Sequence, residues 1–176
     1  MSDVPDMQIG HVGLYVCDLQ KMRDFYGRVM GFKVTDAGHG REAEMVFMSR
    51  SREEHHQVVL ATGRPPDTFS VVNQISFRVK TLGELRSMHE RLVAAGAEQI
   101  RPIDHGNSWS VYFLDPEGNR LEVYLATPWY VNQPYAMPLD LGKSDDDLFA
   151  YCEAKAKADP GYMSTEEWRE KAFGAA

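Results

Sequence analysis

The chain repeats itself, and that repeat constrains its fold more than any other feature. His11-Val-Gly-Leu-Tyr-Val16 reads against Gln74-Ile-Ser-Phe-Arg-Val79, and the step from 11 to 74 is an offset of 63 residues. Val12, Leu14 and Val16 alternate in one run, Ile75, Phe77 and Val79 in the other, so each reads as a strand with one apolar face. A helical pattern follows each. Leu19, Met22, Phe25, Tyr26 and Val29 keep helical spacing between a capping Asp18 and a terminating Gly31. Leu82, Leu85, Met88, Leu92 and Val93 do so between Thr81 and Gly96.

Three strand-like runs follow each helix. They span 32–35, 44–48 and 55–61 in the first copy, and 98–102, 108–114 and 120–125 in the second, with Asp115-Pro-Glu-Gly118 as a turn. The last runs align as Gln57-Val-Val-Leu60 on Glu122-Val-Tyr-Leu125; the step from 57 to 122 is an offset of 65. Arg64-Pro-Pro-Asp67 separates the copies. The pattern predicts an α+β fold: two tandem βαβββ modules, about 8–62 and 72–126, forming a curved mixed sheet around a pocket. Residues 1–127 make that domain, and 128–176 a C-terminal arm with short helices at 144–157 and 164–173. Ser164-Thr-Glu-Glu167 reads as a capping box.

Composition bounds the function. A net charge of −7 on 176 residues argues against a nucleic-acid partner, which needs clustered Lys and Arg. No apolar run approaches the roughly 20 residues of a membrane span, and the N-terminus shows no secretory pattern. Two cysteines, Cys17 and Cys152, are too few for a disulfide framework, so a reduced cytoplasmic setting is expected.

Period two also decides which polar side chains share a face. His11 lies opposite Val12, Leu14 and Val16; Gln74 is placed equivalently in the second copy. Glu122 lies opposite Leu121, Val123 and Leu125. A lone histidine at a strand start is usually structural, but a His and a Glu at equivalent ends of duplicated modules are more specific. His39, in a glycine-flanked loop, and His89, on a helix, read as solvated. Trp109, Phe113, Trp129 and Tyr130 read first as core, although Trp129 and Tyr130 are placed to close a pocket over an aromatic substrate.

Four segments, His11-Val-Gly-Leu, His56-Gln-Val-Val-Leu, Asn73-Gln-Ile-Ser-Phe and Tyr112-Phe-Leu-Asp-Pro-Glu-Gly-Asn-Arg-Leu-Glu-Val-Tyr124, resemble the motifs of type I extradiol dioxygenases of the vicinal oxygen chelate superfamily. The resemblance covers about residues 8–130 and is most specific from Tyr112 to Glu122. In that family two His and one carboxylate hold Fe(II), or sometimes Mn(II), leaving positions open for a catecholate and O₂. The resemblance implies His11 and Glu122 as metal ligands, Tyr112 beside the substrate oxygen, His56 as the acid–base histidine and His105 as a further pocket histidine, at shorter spacing than usual. It also implies a homodimer and a small aromatic substrate.

One position departs from the family. Its second histidine ligand falls at Gln74, whose amide oxygen is a harder, weaker ligand than imidazole. Glyoxalase I enzymes of the same superfamily do use Gln beside His and Glu. His55 or His56 is a further source of nitrogen: aligning Gln57 with Glu122 turns His55 inward, whereas the dioxygenase comparison turns His56 inward. Three readings therefore stand. The first is an extradiol-type dioxygenase using Fe(II), favoured by His56 and Tyr112. The second is a redox-neutral glyoxalase- or epimerase-type lyase or isomerase using Ni(II), Zn(II) or Co(II), favoured by Gln74. The third is a metal-free binding protein of the bleomycin-resistance type, for which His11 and Glu122 are awkward.

Overall fold

A computed structural model describes residue 5 and residues 7–174. It divides into two compact units: one runs through Ser70 and takes in Pro116–Gly118, the other comprises Val71–Asp115 and the chain from Asn119 onward.

In the first unit, β1 (Val12–Val16) leads into α1 (Leu19–Arg28), then β2 (Lys33–His39), β3 (Glu44–Ser49) and β4 (Val58–Thr62). The sheet order is β1-β4-β3-β2, with β1 parallel to β4 and the other pairs antiparallel. Asp18 caps α1 by accepting from the Lys21 N–H at 2.9 Å. Gly31, at φ 76°, ends the turn beyond α1 in a backbone conformation that a Cβ would oppose. Leu14 and Val16 are buried with Met22 and Tyr26 of α1, and with Met48, Val58 and Leu60, on one face of the sheet.

The second unit repeats the order: β5 (Ile75–Arg78), α2 (Leu82–Ala94), β6 (Glu98–Asp104), β7 (Ser108–Leu114) and β8 (Arg120–Ala126). A capping box between Thr81 and Glu84 starts α2. The chain then adds β9 (Trp129–Tyr130), β10 (Met137–Pro138), α3 (Asp145–Lys157), β11 (Met163–Ser164) and α4 (Thr165–Phe173). The main sheet runs β10-β6-β7-β8-β5, mixed like the first. Leu85, Leu92, Val111, Phe113, Leu121 and Val123 fill its core. This is the expected α+β architecture of two βαβββ modules with a C-terminal helical extension, and each module carries a curved mixed sheet. Among the described residues, no helix is long and apolar enough to cross a membrane.

The ladders correct the alignment of the last strands. Val12 pairs with Val58 in the first unit and Ile75 with Leu121 in the second, so both parallel pairs join residues 46 apart in sequence. The repeat therefore has an offset of 63 at β5 and again at β8, against 65 at β6 and β7 (36 to 101, 47 to 112), and Glu122 corresponds to Val59 rather than to Gln57. Strand β4 begins at Val58, so His55 and His56 precede it in irregular chain, where period-two alternation assigns neither a face. Each module also carries a register shift on its second strand, between Val34 and Asp36 and between Glu98 and Arg101.

The aromatic arm spends its side chains inside the second unit. Trp129, 2% exposed, meets Trp109 and Phe149 edge-on, while Tyr130 stacks on Trp168 with ring centroids 5.3 Å apart. Neither residue lines the cavities described below, so the expectation that they close a pocket gives way to a packing role.

Candidate active site

The registers place a row of polar side chains across the second sheet. Arg101 pairs with Tyr112, Tyr112 with Glu122, and Glu122 with Ser76, so one residue from each of β6, β7, β8 and β5 points to the same face. The corresponding row of the first sheet is Asp36, Phe47, Val59 and Gly13. The duplication kept the backbone and loaded one copy with hydrogen-bonding groups.

Glu122 is 6% exposed. Its carboxylate accepts from the Gln74 amide nitrogen at 3.0 Å and from the Ser76 hydroxyl. Among the described residues it has no ion-pair partner. Taking a carboxylate out of water costs several kcal/mol unless a cation compensates, and two neutral donors do so only in part.

Tyr112 faces two acceptors. The His105 Nδ1 lies 2.7 Å from the Tyr135 carbonyl oxygen, which can only accept, so Nδ1 carries the proton. In the neutral ring Nε2 is then bare, 3.0 Å from the Tyr112 hydroxyl, and accepts from it. The Glu122 carboxylate is the other acceptor. Burial, then the charge of Glu122, then its hydrogen bond hold the phenol protonated and push its pKa up to about 12.

His105 owes its position to a tight turn between β6 and β7. Buried Asp104 accepts from the Gly106 N–H at 2.7 Å, and burial raises its pKa first of all. The Thr127 hydroxyl donates to the Gly106 carbonyl at 2.6 Å, and the Gln133 amide to the His105 carbonyl at 2.8 Å. Gly106 has φ 72°, and a Cβ there would sit 2.1 Å from a Val131 methyl, so only glycine fits.

Two cavities flank this constellation, and both are lined by Gln74, His105 and Tyr112. One, of about 390 Å³, adds Ser76, Glu122, Tyr124 and Gln133. The other, of about 150 Å³, adds Gln99, Arg101 and Arg120.

The first unit gathers three imidazoles. The His11 and His56 rings lie with centroids 4.3 Å apart, and the Nδ1 atoms of His55 and His56 are 3.0 Å apart. Phe47, the counterpart of Tyr112, meets His56 edge-on at 5.2 Å. Burial first, then the neighbouring His11 and His55, lower the His56 pKa. The structure thus brings His56 to His11 in one unit, and Gln74, His105, Tyr112 and Glu122 together in the other. Ser76 escaped the sequence reading although it shares the parity of Gln74. Arg101 was not readable, because its face depends on the irregular register at 98–101.

Residues 8–123 match the family model of the Glyoxalase/Bleomycin resistance protein/Dioxygenase superfamily. The chain belongs to that superfamily. A superfamily relative, biphenyl-2,3-diol 1,2-dioxygenase 2 of Rhodococcus globerulus, is 29% identical over 174 residues, covering 92% of this chain and 88% of that protein. Biphenyl-2,3-diol 1,2-dioxygenase 3 of the same organism is 32% identical over 69% of this chain and 66% of its own length. Among solved structures, a glyoxylase/bleomycin resistance protein/dioxygenase domain from Frankia sp. EAN1pec superposes with a TM-score of 0.62 at 25% identity, covering 70% of this chain and all of that one. A point mutant of the fosfomycin resistance protein FosX from Listeria monocytogenes, complexed with Mn(II) and 1S,2S-dihydroxypropylphosphonic acid, shares the fold with a TM-score of 0.57 at 20% identity, covering 70% of this chain and 95% of that one.

Superfamily relatives raise the question of a divalent metal, and the residues fit one. Among the described residues no three His, Cys, Asp or Glu side chains cluster to hold an ion, so those four residue types alone assemble no ligand set. Glu122, however, is a buried carboxylate without a counter-cation, and the Gln74 amide beside it presents its oxygen once turned about its last torsion. Carboxylate and amide oxygens are hard donors suited to divalent cations.

Proposed function

We propose that this chain is a metal-dependent oxidoreductase of the extradiol-dioxygenase kind, acting on a catechol-type aromatic diol with O₂. The observation that carries the reading is the buried, uncompensated Glu122 carboxylate beside the Tyr112–His105 pair. The two biphenyl-diol dioxygenase relatives support it. The proposed ligand set is His11, Gln74 and Glu122, and the proposed ion is Fe(II), with Mn(II), Ni(II), Zn(II) or Co(II) as alternatives. When bound, the ion supplies Lewis acidity and a place where diol and O₂ meet.

The chain's own groups do the rest. Tyr112, held protonated, donates a hydrogen bond to a substrate oxygen entering the larger cavity. His105, with Nδ1 fixed by the Tyr135 carbonyl, offers Nε2 as an acceptor that positions the Tyr112 hydroxyl. His56, whose pKa is lowered, stays neutral near pH 7 and is the proposed proton acceptor from the diol. The proposed assembly is a homodimer: Met7, Ile9 and Tyr15 leave exposed apolar surface on the first unit. Sedimentation at micromolar concentration checks this, and a single 20 kDa species overturns it.

Gln74 favours a second reading, a redox-neutral lyase or isomerase of the glyoxalase or epimerase kind. Anaerobic loading with Fe(II), Mn(II), Ni(II), Zn(II) or Co(II) in turn, followed by oxygen uptake with catechol and 2,3-dihydroxybiphenyl, separates the two. Diol-dependent uptake with Fe(II) or Mn(II) is expected. Binding of Ni(II), Zn(II) or Co(II) with no uptake under any loading supports the second reading. Binding of no metal points to a metal-free binding protein.

A further inference from the structure

The two cavities beside Tyr112 and His105 differ in charge. The larger holds the Glu122 carboxylate, whereas the smaller is lined by Arg101 and Arg120 and by no Asp or Glu. That is an unusual lining in a chain with 26 acidic residues against 19 Lys and Arg. Among the described residues neither arginine has an ion-pair partner or a side-chain hydrogen bond. An arginine left without a carboxylate presents a planar fork of donors suited to a carboxylate or phosphate.

The backbone that aims Arg101 is also particular to this module. Both modules shift register on the second strand, but only here does a non-glycine residue take positive φ, Gln99 at 52°. Gln99 itself lines the small cavity, and the shift leaves Arg101 opposite Tyr112. At the matching place the first module carries Asp36, opposite Phe47. The irregularity belongs to the fold; the arginine and the strain belong to this site.

We propose that Arg101 and Arg120 form an oxyanion subsite, and that the natural substrate is a diol bearing a carboxylate. The inference rests on the diol reading above and names the class of diol. The carboxylate sits in the small cavity on the arginine forks, and the hydroxyl-bearing end reaches past Tyr112 toward Glu122. The biphenyl-diol of the relatives' names bears no such charge, so the arginines are specificity-determining residues for this chain.

The test is equilibrium binding of catechol, 2,3-dihydroxybenzoate, 3,4-dihydroxyphenylacetate and benzoate to metal-loaded protein, in wild type, Arg101→Ala/Arg120→Ala and Arg101→Lys/Arg120→Lys. Wild type should prefer at least one carboxylated diol over catechol by roughly tenfold or more, because each fork can give charge-assisted hydrogen bonds. The alanine pair should bring that ratio near one, the lysine pair should retain part of it, and added salt should shrink it. Equal affinity of wild type for charged and neutral diols, or a preference untouched by the alanine pair, overturns the proposal. Arginine-dependent binding of benzoate with no binding of any diol leaves the subsite standing and overturns the diol reading alone.

Discussion

Tyr112 lies directly opposite Glu122 on the β7–β8 ladder, and its hydroxyl is 3.0 Å from the His105 Nε2. One phenolic proton therefore stands between a carboxylate and a bare ring nitrogen. The same tyrosine lines both adjoining cavities.

The alkaline limb of the stability curve should report on Tyr112. Its folded pKa of about 12 lies above the ordinary 10.0, so the folded state keeps a proton that the unfolded chain releases. The contribution is fully present below pH 10 and is lost as pH rises toward 12. Chemical denaturation from pH 9 to 12 should show a shallower loss in Tyr112→Phe than in wild type. Identical slopes would mean that the phenol is not held in this way.

Glu122→Gln should weaken divalent metal binding by at least tenfold, because the charged oxygen donor is gone. Gln74→His should tighten it and shift preference toward iron, for which imidazole is the better ligand. Metal content and competitive titration of the three proteins check both directions. If none of the three binds a divalent ion above background, Glu122 is not a ligand.

Gly106→Ala should destabilise the protein by about 2–3 kcal/mol, combining left-handed strain with overlap on Val131. Because that turn carries His105, the substitution should also disturb the His105–Tyr112 hydrogen bond. Thermal unfolding reads the first effect, and NMR of the histidine ring protons the second. A wild-type melting temperature would show that Val131 yields without cost.

Glu117→Ala should cost about 2–3 kcal/mol. Its carboxylate accepts from the Cys17 and Asp18 N–H groups at 2.8 Å each and lies 3.5 Å from Arg64, with both side chains nearly buried. Removal strands donors at the start of α1 and takes the carboxylate away from a nearly buried arginine. Urea unfolding measures the loss; a change under 0.5 kcal/mol, as for an ordinary surface site, would show that water replaces the carboxylate.

Much of this was legible in the sequence because it is local. Alternation placed Glu122 opposite Leu121 and Val123, which are buried. Helical spacing with Asp18 and Thr81 as caps located α1 and α2, and the Ser164 capping box located α4, since a cap acts within three residues of itself. The resemblance in the Tyr112–Glu122 segment pointed to the superfamily. The remainder depended on pairing between distant strands. The offset of 65 at Gln57 was a similarity of letters, and only the hydrogen-bonded ladder set Glu122 level with Val59. His56 meets His11 through irregular chain, to which no periodicity applies. The register shift at 98–101 decides that Arg101 stands beside Tyr112, because one extra residue in a strand reverses every side chain after it. The sequence determined which polar residues stand opposite the apolar faces of β1 and β8; the tertiary structure decided their neighbours, because register is fixed by hydrogen bonds and packing among strands far apart in the chain.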